Sequence, residues 1–240
     1  MKNNLHIGCS GYYYPYWKNR FYPQGMPPKN WLTHYSTVFN TVELNSSFYR
    51  IPKLADLSKY ASNTADNFLF SVKMNRHITH ILRLKDCRQQ VDDFLDLIHE
   101  GLVNKLACVL FQMPPSFHFS EENLLRVLNN IPHQPSNVVE FRHSSWWNDE
   151  VKAALTEAKL TFCNVDFPGL DSYFVNTSDV FYLRLHGSPE LFKSSYSTEQ
   201  LREYAQEIGQ RKKAFVYFNN TYYTAGYENA QELKEIMNVK

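Results

Sequence analysis

Lys105-Leu-Ala-Cys-Val-Leu-Phe-Gln112 is apolar at every position between its two polar ends. A strand with one face in water alternates, whereas an unbroken apolar run is expected where helices cover both faces of a parallel sheet. Pro114-Pro115 follows at once and closes the run, because proline has no N–H for a ladder. Similar short runs lie on either side of it. Strands are expected at 5–9, 41–44 and 67–73 upstream, and at 137–141, 160–166, 180–185 and 214–218 downstream. Between and after them the spacing predicts helices over 30–39, 52–63, 88–101, from Ser120 onward, 149–159, 198–210 and 225–239. Ser120 is a natural N-cap and Gly101 a natural stop. Segment 167–179 carries Pro168 and Gly169 without a helical period, so an irregular crossover is expected there.

Eight strand–helix units, one of them degraded, within 240 residues fit a (β/α)8 TIM barrel with that crossover in place of the helix between strands six and seven. An open doubly wound sheet is the competing architecture. It calls for a glycine-rich phosphate turn after the first strand, and Gly8-Cys-Ser-Gly11 is not one; no P-loop occurs either. No Gly/Ser linker or charge block divides the chain, so residues 1–240 are read as a single domain.

Hydrophobic residues make up 43% and charged residues 20%, which excludes a disordered chain. A net charge of +1 argues against a broad nucleic-acid footprint and leaves room only for a local basic patch. The four cysteines form no CxxC pair, so neither a disulfide framework nor a zinc ribbon is expected. No signal peptide is evident, since residues 1–6 lead straight into a short strand, and no apolar run approaches the ~18 residues of a membrane span. A reduced cytoplasmic protein without a membrane partner is the expectation.

Barrels of this type carry their sites at the C-terminal strand ends. Thr41-Val-Glu-Leu-Asn-Ser-Ser-Phe-Tyr-Arg50 places Glu43 and Asn45 on one face by the strand period of two. Matching pairs follow: Ser71 and Lys73, Glu140 and Arg142, Asn164 and Asp166, Arg184 and His186, with Ser10, Gln112 and the Asn219-Asn220 pair at the other ends. If all face inward, Glu43, Glu140 and Asp166 meet Lys73, Arg142, Arg184 and His186 at one mouth. A purely structural ion-pair plug is the alternative, set against the cost of desolvating so many ions. Arg142 and Arg184 suit a bidentate clamp on phosphate or carboxylate. Lys73 suits a further anion contact or a Schiff-base nucleophile. Glu43 and Glu140 are the candidate acid and base, and His186 a proton shuttle. Asn45, Gln112, Asp166 and Asn219 complete the candidate ligand set, with Tyr196 from the loops. Tyr12, Trp17, Phe48, Tyr49, Phe117, Trp146, Trp147 and Tyr196 lie in loops on that side, to stack on a ligand or to pack the loops.

His77-x-x-His80 and the three acids raise a divalent metal as a weaker option, since the interleaved Lys73, Arg142 and Arg184 already neutralise the acids; no cofactor is expected. The basic loop with Lys73, Arg76, His77, His80, Arg83, Lys85 and Arg88 is either a solvated face or a draw for anions.

Gly8-Cys-Ser-Gly-Tyr12, Phe21-Tyr-Pro23, the 41–50 stretch, Phe70-Ser-Val-Lys73, Ile78-Thr-His80, Leu110-Phe-Gln-Met-Pro-Pro-Ser-Phe117, Val139-Glu-Phe-Arg-His-Ser-Ser-Trp146, Tyr182-Leu-Arg-Leu-His-Gly187 and Phe218-Asn-Asn220 together resemble the domain-of-unknown-function 72 family, also called YecE-like. The resemblance implies a TIM barrel and a bacterial cytoplasmic protein, in a family without a settled activity. Its recurrent polar positions match Glu43, Asn45, Lys73, Gln112, Glu140, Arg142, Arg184, His186 and Asn219. The chain departs from the pattern at Gly11-Tyr12, where the family commonly has Gly-Trp, and after Asn220, where an acidic residue is common.

The leading expectation is an enzyme, a hydrolase or lyase, acting on a small or terminal anionic substrate such as a phosphorylated sugar or nucleotide-like ester. The alternatives are a non-catalytic module for nucleic acid or a metabolite, and a metal-dependent phosphodiesterase resembling endonuclease IV. Oligomeric state is not legible in the sequence.

Overall fold

A computed structural model describes residues 4–170 and 173–239. The first three positions, the last one and residues 171–172 of the crossover lie outside the described residues. Eight parallel strands form one sheet: β1 (Asn4–Cys9), β2 (Thr41–Leu44), β3 (Leu69–Lys73), β4 (Leu106–Gln112), β5 (Asn137–Glu140), β6 (Thr161–Asp166), β7 (Val180–Leu185) and β8 (Lys213–Phe218). Their order is β1-β8-β7-β6-β5-β4-β3-β2, so consecutive strands are neighbours and the chain curls into a nearly closed barrel. Around it lie α1 (Trp31–Val38), α2 (Ser46–Tyr49), α3 (Leu54–Ser62), α4 (Arg88–Leu102), α5 (Glu121–Asn130), α6 (Asp149–Glu157), α7 (Thr198–Gly209) and α8 (Ala225–Ile236). The one-turn α2 and a π turn at His77–Ile81 were not legible in the spacing.

Helix ends follow local chemistry. Ser120 accepts from the Asn123 N–H, and Ser197 with Gln200 forms a capping box at the start of α7. Gly101 does not stop α4, as its position suggested. The helix runs on to Leu102, and the left-handed residue at its end is Val103, with φ 51°. Gly101 instead lets α3 approach, since a Cβ there would stand 2.4 Å from the Leu57 Cβ.

β1 and β2 share no backbone ladder among the described residues, and side chains close the seam between them. The Asn40 amide accepts from the Ile7 N–H at 3.0 Å and donates to the Leu5 carbonyl at 2.9 Å. One turn higher, the buried Tyr35 hydroxyl accepts from the Cys9 N–H at 2.7 Å and donates to the Thr41 carbonyl at 3.1 Å. The approach is close enough that a Cβ at Gly8 would meet the Thr41 carbonyl oxygen at 2.1 Å. Tyr35→Phe should therefore cost about 1–3 kcal/mol by orphaning a buried N–H. Urea unfolding with an unchanged slope and a lower midpoint would show it; an unchanged midpoint would refute it.

The alternation of each strand separates two cores. Ile7, Val42, Phe70, Phe111, Val139, Leu183 and Val216 face the helices. Cys108, Leu110, Val138, Cys163, Val165, Tyr182, Phe215 and Tyr217 fill the barrel. Tyr217 ties three strands together inside, its hydroxyl 2.7 Å from Thr41 Oγ1 and 2.8 Å from Ser71 Oγ. On that packed floor stands the charged layer.

Candidate active site at the barrel mouth

Two carboxylates and one guanidinium lie across the barrel with essentially no solvent exposure: Glu43, Glu140 and Arg184. Arg184 reaches Glu43 through Nε at 3.0 Å and Nη2 at 2.7 Å, and Glu140 through Nη1 at 2.6 Å. Glu43 also accepts from Ser10 Oγ and from the Tyr182 hydroxyl, each at 2.7 Å. The other oxygen of Glu140 is bound by Arg142 Nε. Removing three ions from water is costly, and this arrangement offsets the cost by giving each carboxylate an arginine and Glu43 two further donors. Burial alone would raise the Glu140 carboxyl, yet Arg142, Arg184 and Lys73 hold it below the ordinary carboxylate value. Both glutamates are thus saturated acceptors, and Glu140, held below its ordinary value, has no proton to give near neutral pH.

His186 is fully buried beside this network. Its Nε2 faces Arg142 Nη2 at 3.2 Å and Arg184 Nη1 at 3.4 Å, both obligate donors, so Nε2 accepts and the ring proton belongs on Nδ1. With the proton on Nδ1, which lies 2.8 Å from the Asn219 side-chain amide, that amide must turn its oxygen to the ring and accept, because an NH2 there would set donor against donor. Burial, then Arg142, Arg184 and Lys73, push the imidazole well below its usual pKa. The ring orients its neighbours as a neutral group.

Lys73 differs from the other ions. No acceptor lies within hydrogen-bond reach of its ammonium among the described residues, and its Nζ stands 4.1 Å from the centre of the Phe48 ring. Burial first, then Arg184, lower its pKa to about 7, against the opposing pull of Glu140 and Glu43. Three cations against two carboxylates leave one positive charge unmatched whenever Lys73 is protonated.

Above this layer opens a cavity of about 500 Å³ lined by Asn45, Phe48, Lys73, Gln112, Arg142, Phe167, Phe192 and Asn219, among others, with no acidic side chain at its surface. Arg142 is clamped on three sides: by Glu140, by His186 and by the Phe167 ring 4.2 Å from its guanidinium carbon. Its Nη1 has no protein acceptor among the described residues. Asn45 Oδ1 is a buried acceptor without a donor.

Of the eleven residues singled out from sequence, nine gather at this mouth or in the layer beneath it. Two do not: Asp166, through an error of parity on β6, and the loop residue Tyr196 that binds it. On β6 the inward positions are Cys163 and Val165, continued by Phe167 into the cavity. Asp166 faces the other way and accepts from the Tyr196 hydroxyl at 2.6 Å. That hydroxyl also accepts from the Gly187 N–H at 2.7 Å, so Tyr196 is a buried loop tie and not a stacking platform. The reason lies in the missing helix. The outer face of β6 is covered by irregular chain whose backbone needs partners, and Asn164 supplies them, bonding the N–H and carbonyl of Val175 at 2.7 and 3.0 Å. Arg184 lines the cavity from below, with its Nε and one hydrogen of each terminal nitrogen taken by the two glutamates.

Among the expected aromatics, Phe48 and Tyr49 line the cavity, while Trp17, Phe117 and Trp146 are packed in the core. Reasoning from polar strand ends missed Phe167 and Phe192; the alternation of Cys163 and Val165 was the available signal for Phe167. In the basic loop, Arg76, Arg83, Lys85 and Arg88 are exposed, and Arg88 is paired with Asp92 on α4. The described residues contain no group of three or more His, Cys, Asp or Glu placed to hold a metal. The two acids that would supply oxygen ligands already hold arginines.

Fold and site together define a parallel β/α-barrel protein with a charged, concave C-terminal mouth. The chain belongs to the family described as "Protein of unknown function DUF72", whose model matches residues 6–240. It is 26% identical to the UPF0759 protein YunF of Bacillus subtilis (strain 168) over a 275-residue alignment covering 98% of this chain and 95% of that protein. It is 29% identical to the UPF0759 protein YecE of Escherichia coli (strain K12) over 117 residues, 48% of this chain and 43% of the relative. The crystal structure of a DUF72 family protein, TM1631 of Thermotoga maritima MSB8, superposes with a TM-score of 0.87 at 30% identity, covering 98% and 99% of the two chains. The DUF72 family protein EF0366 of Enterococcus faecalis V583 shares the fold at a TM-score of 0.82 and 18% identity, over 98% and 96%.

Proposed function

We propose that the barrel mouth is the active site of an enzyme acting on a small anionic substrate, bound as a phosphate or carboxylate, in the cytoplasm. The observation that carries this reading is the unpartnered Lys73 amine beside a fully paired Arg–Glu network, inside a cavity without acidic lining. A structural plug would have given every cation a carboxylate. Here the pairing stops one cation short, and the surplus lies in a cavity of small-molecule size.

In this reading Arg142 and the amide of Asn219 take the anion, Arg142 through the guanidinium nitrogen its clamps leave free. Asn45 Oδ1 accepts from a hydroxyl or N–H on the substrate body, which lies against Phe48, Phe167 and Phe192. Lys73, with a pKa of about 7, exists in both protonation states under neutral conditions and is the acid–base group. Glu43, Glu140, Arg184 and His186 act as positioning residues that fix Arg142 and set the field around Lys73.

Calorimetric titration with inorganic phosphate and with ribose 5-phosphate, on wild-type protein and Arg142→Met, tests the site. The Arg142 variant should bind at least about tenfold more weakly, the range lost with a charge-assisted contact. Wild-type affinity should fall as pH rises through about 7, where the Lys73 charge is lost. Equal affinity of the two proteins, or binding by neither, would sink the reading. Binding without turnover across a panel of sugar phosphates and nucleotides would leave a metabolite-binding module in place of the enzyme.

A further inference from the structure

We infer that the substrate carries a carbonyl group close to its anion, and that Lys73 captures it as a covalent imine. The inference rests on the anion site proposed above and specifies the chemistry done there.

An amine that forms imines must be accessible, unpaired and free of strong acceptors, because a carboxylate partner would hold both its proton and its lone pair. Lys73 meets each condition. Its Nζ has neither an ion-pair nor a hydrogen-bond partner among the described residues, and it lines the cavity rather than the sealed layer below. The two nearby acids, Glu43 and Glu140, are withdrawn from it because Arg184 and Arg142 occupy their oxygens. The face of Phe48 lies 4.1 Å from its nitrogen and shields the amine from water without accepting its proton. Arg184 beneath it and Arg142 on the same cavity disfavour the ammonium further, which matches the neutral amine available near pH 7.

The second half of the site complements this nucleophile. Arg142 opens on the same cavity as Lys73, so a compound with an anionic group and a carbonyl a few bonds apart can engage both. The Lys73 nitrogen attacks the carbonyl carbon to give a carbinolamine. The carbonyl oxygen then leaves as water with one of the two amine protons and one proton taken from solvent, and the nitrogen keeps its other proton and the positive charge of the C=N bond. No oxidant, reductant or further reactant is required. The cation so formed remains in a field that Glu43 and Glu140 keep from becoming strongly positive. The other lysine named in the loop after β3, Lys85, is exposed to solvent and does not combine these conditions.

Reductive trapping tests the inference on the full-length protein. Pyruvate represents 2-oxo acids and dihydroxyacetone phosphate represents phosphorylated carbonyl compounds. Each is incubated with the protein at pH 7.5 and quenched with sodium borohydride, followed by intact-mass and peptide mass spectrometry. A single adduct on Lys73 is expected with at least one probe, and which probe succeeds separates a carboxylate site from a phosphate site. Trapping should rise with pH through about 7, following the neutral amine. At pH 7.5 an ordinary exposed lysine is neutral on the order of a few hundred times less often, so surface labelling forms only a weak background. Lys73→Arg should abolish the adduct while keeping a wild-type thermal transition, and Lys85→Arg should leave it unchanged. No adduct above the Lys73→Arg background with either probe, or labelling spread evenly over surface lysines, overturns the imine. If phosphate still binds in an Arg142-dependent way, only the covalent step falls; if that binding is also absent, the anion site falls with it.

Discussion

Arg184→Met should be the most damaging single substitution in the charged layer. It removes the one cation that serves both Glu43 and Glu140, leaving Glu43 buried with only Ser10 and Tyr182 as donors. Breaking a buried pair by deleting one partner costs about 3–5 kcal/mol, because an uncompensated charge stays behind. For a chain of this size that corresponds to a loss on the order of 10 °C in Tm. The sharper measurement is the double variant Arg184→Met with Glu43→Gln, which removes the stranded charge as well. It should be more stable than Arg184→Met alone by thermal or urea unfolding. If the single variant unfolds like wild type, or the double variant is worse than the single, the account of this layer is wrong.

The same layer sets the acid limb of stability. Glu140 has a folded-state pKa below its ordinary 4.5, so the unfolded chain binds more protons as pH falls past that value. Its stabilising contribution is complete above about 4.5 and is lost as pH drops through the folded value. Glu140→Gln should flatten that limb while lowering stability at neutral pH.

Lys73→Met should do the opposite of Arg184→Met: raise stability while removing function. The lysine carries a depressed pKa because the fold holds its ammonium partly desolvated and near two arginines. Replacing it with an apolar chain of similar length removes that penalty and keeps the contact with Phe48. A gain of about 1 kcal/mol at pH 7 is expected, typical of a functional residue exchanged for a structurally comfortable one. The sign of the pH dependence follows from the shift. Below about 7 the group is protonated in both states and the penalty is complete; between about 7 and the ordinary 10.5 it shrinks, as the unfolded chain alone holds the proton. The advantage of Lys73→Met should therefore fade in alkaline buffer, imine trapping should be lost at every pH, and phosphate should bind more weakly than to wild type below about 7, where the wild-type lysine is charged. A variant less stable than wild type at pH 7 would assign Lys73 a structural role and remove the basis of the functional proposal.

Much of this site was legible because a strand has a period of two. Glu43 on β2, Lys73 on β3, Glu140 on β5, Arg184 on β7 and His186 just beyond it share the inward parity, and polar residues at those positions in apolar runs have few places to go except the mouth. The same rule failed on β6, where Asn164 and Asp166 are just as polar and face outward. A period of two tells which residues share a face, not which face is inside. On β6 that choice was made by the irregular crossover, whose backbone needs Asn164, and by Phe167, which the cavity accommodates. The closure of the barrel was equally hidden, because Asn40 and Tyr35 replace a ladder that the β1–β2 seam lacks.

The amino-acid sequence by itself determined the eight strands, their helical covers and which polar residues share a strand face, since these depend on local patterning and nearest neighbours along the chain. Only the tertiary structure decided which charges cancel. Arg184 finds Glu43 from 141 positions away and Glu140 from 44, and Arg142 takes the remaining oxygen of Glu140. Coulomb attraction and desolvation depend on distances across the barrel, not along the chain, and those distances leave Lys73, among the described residues, as the cation of the mouth without a carboxylate partner.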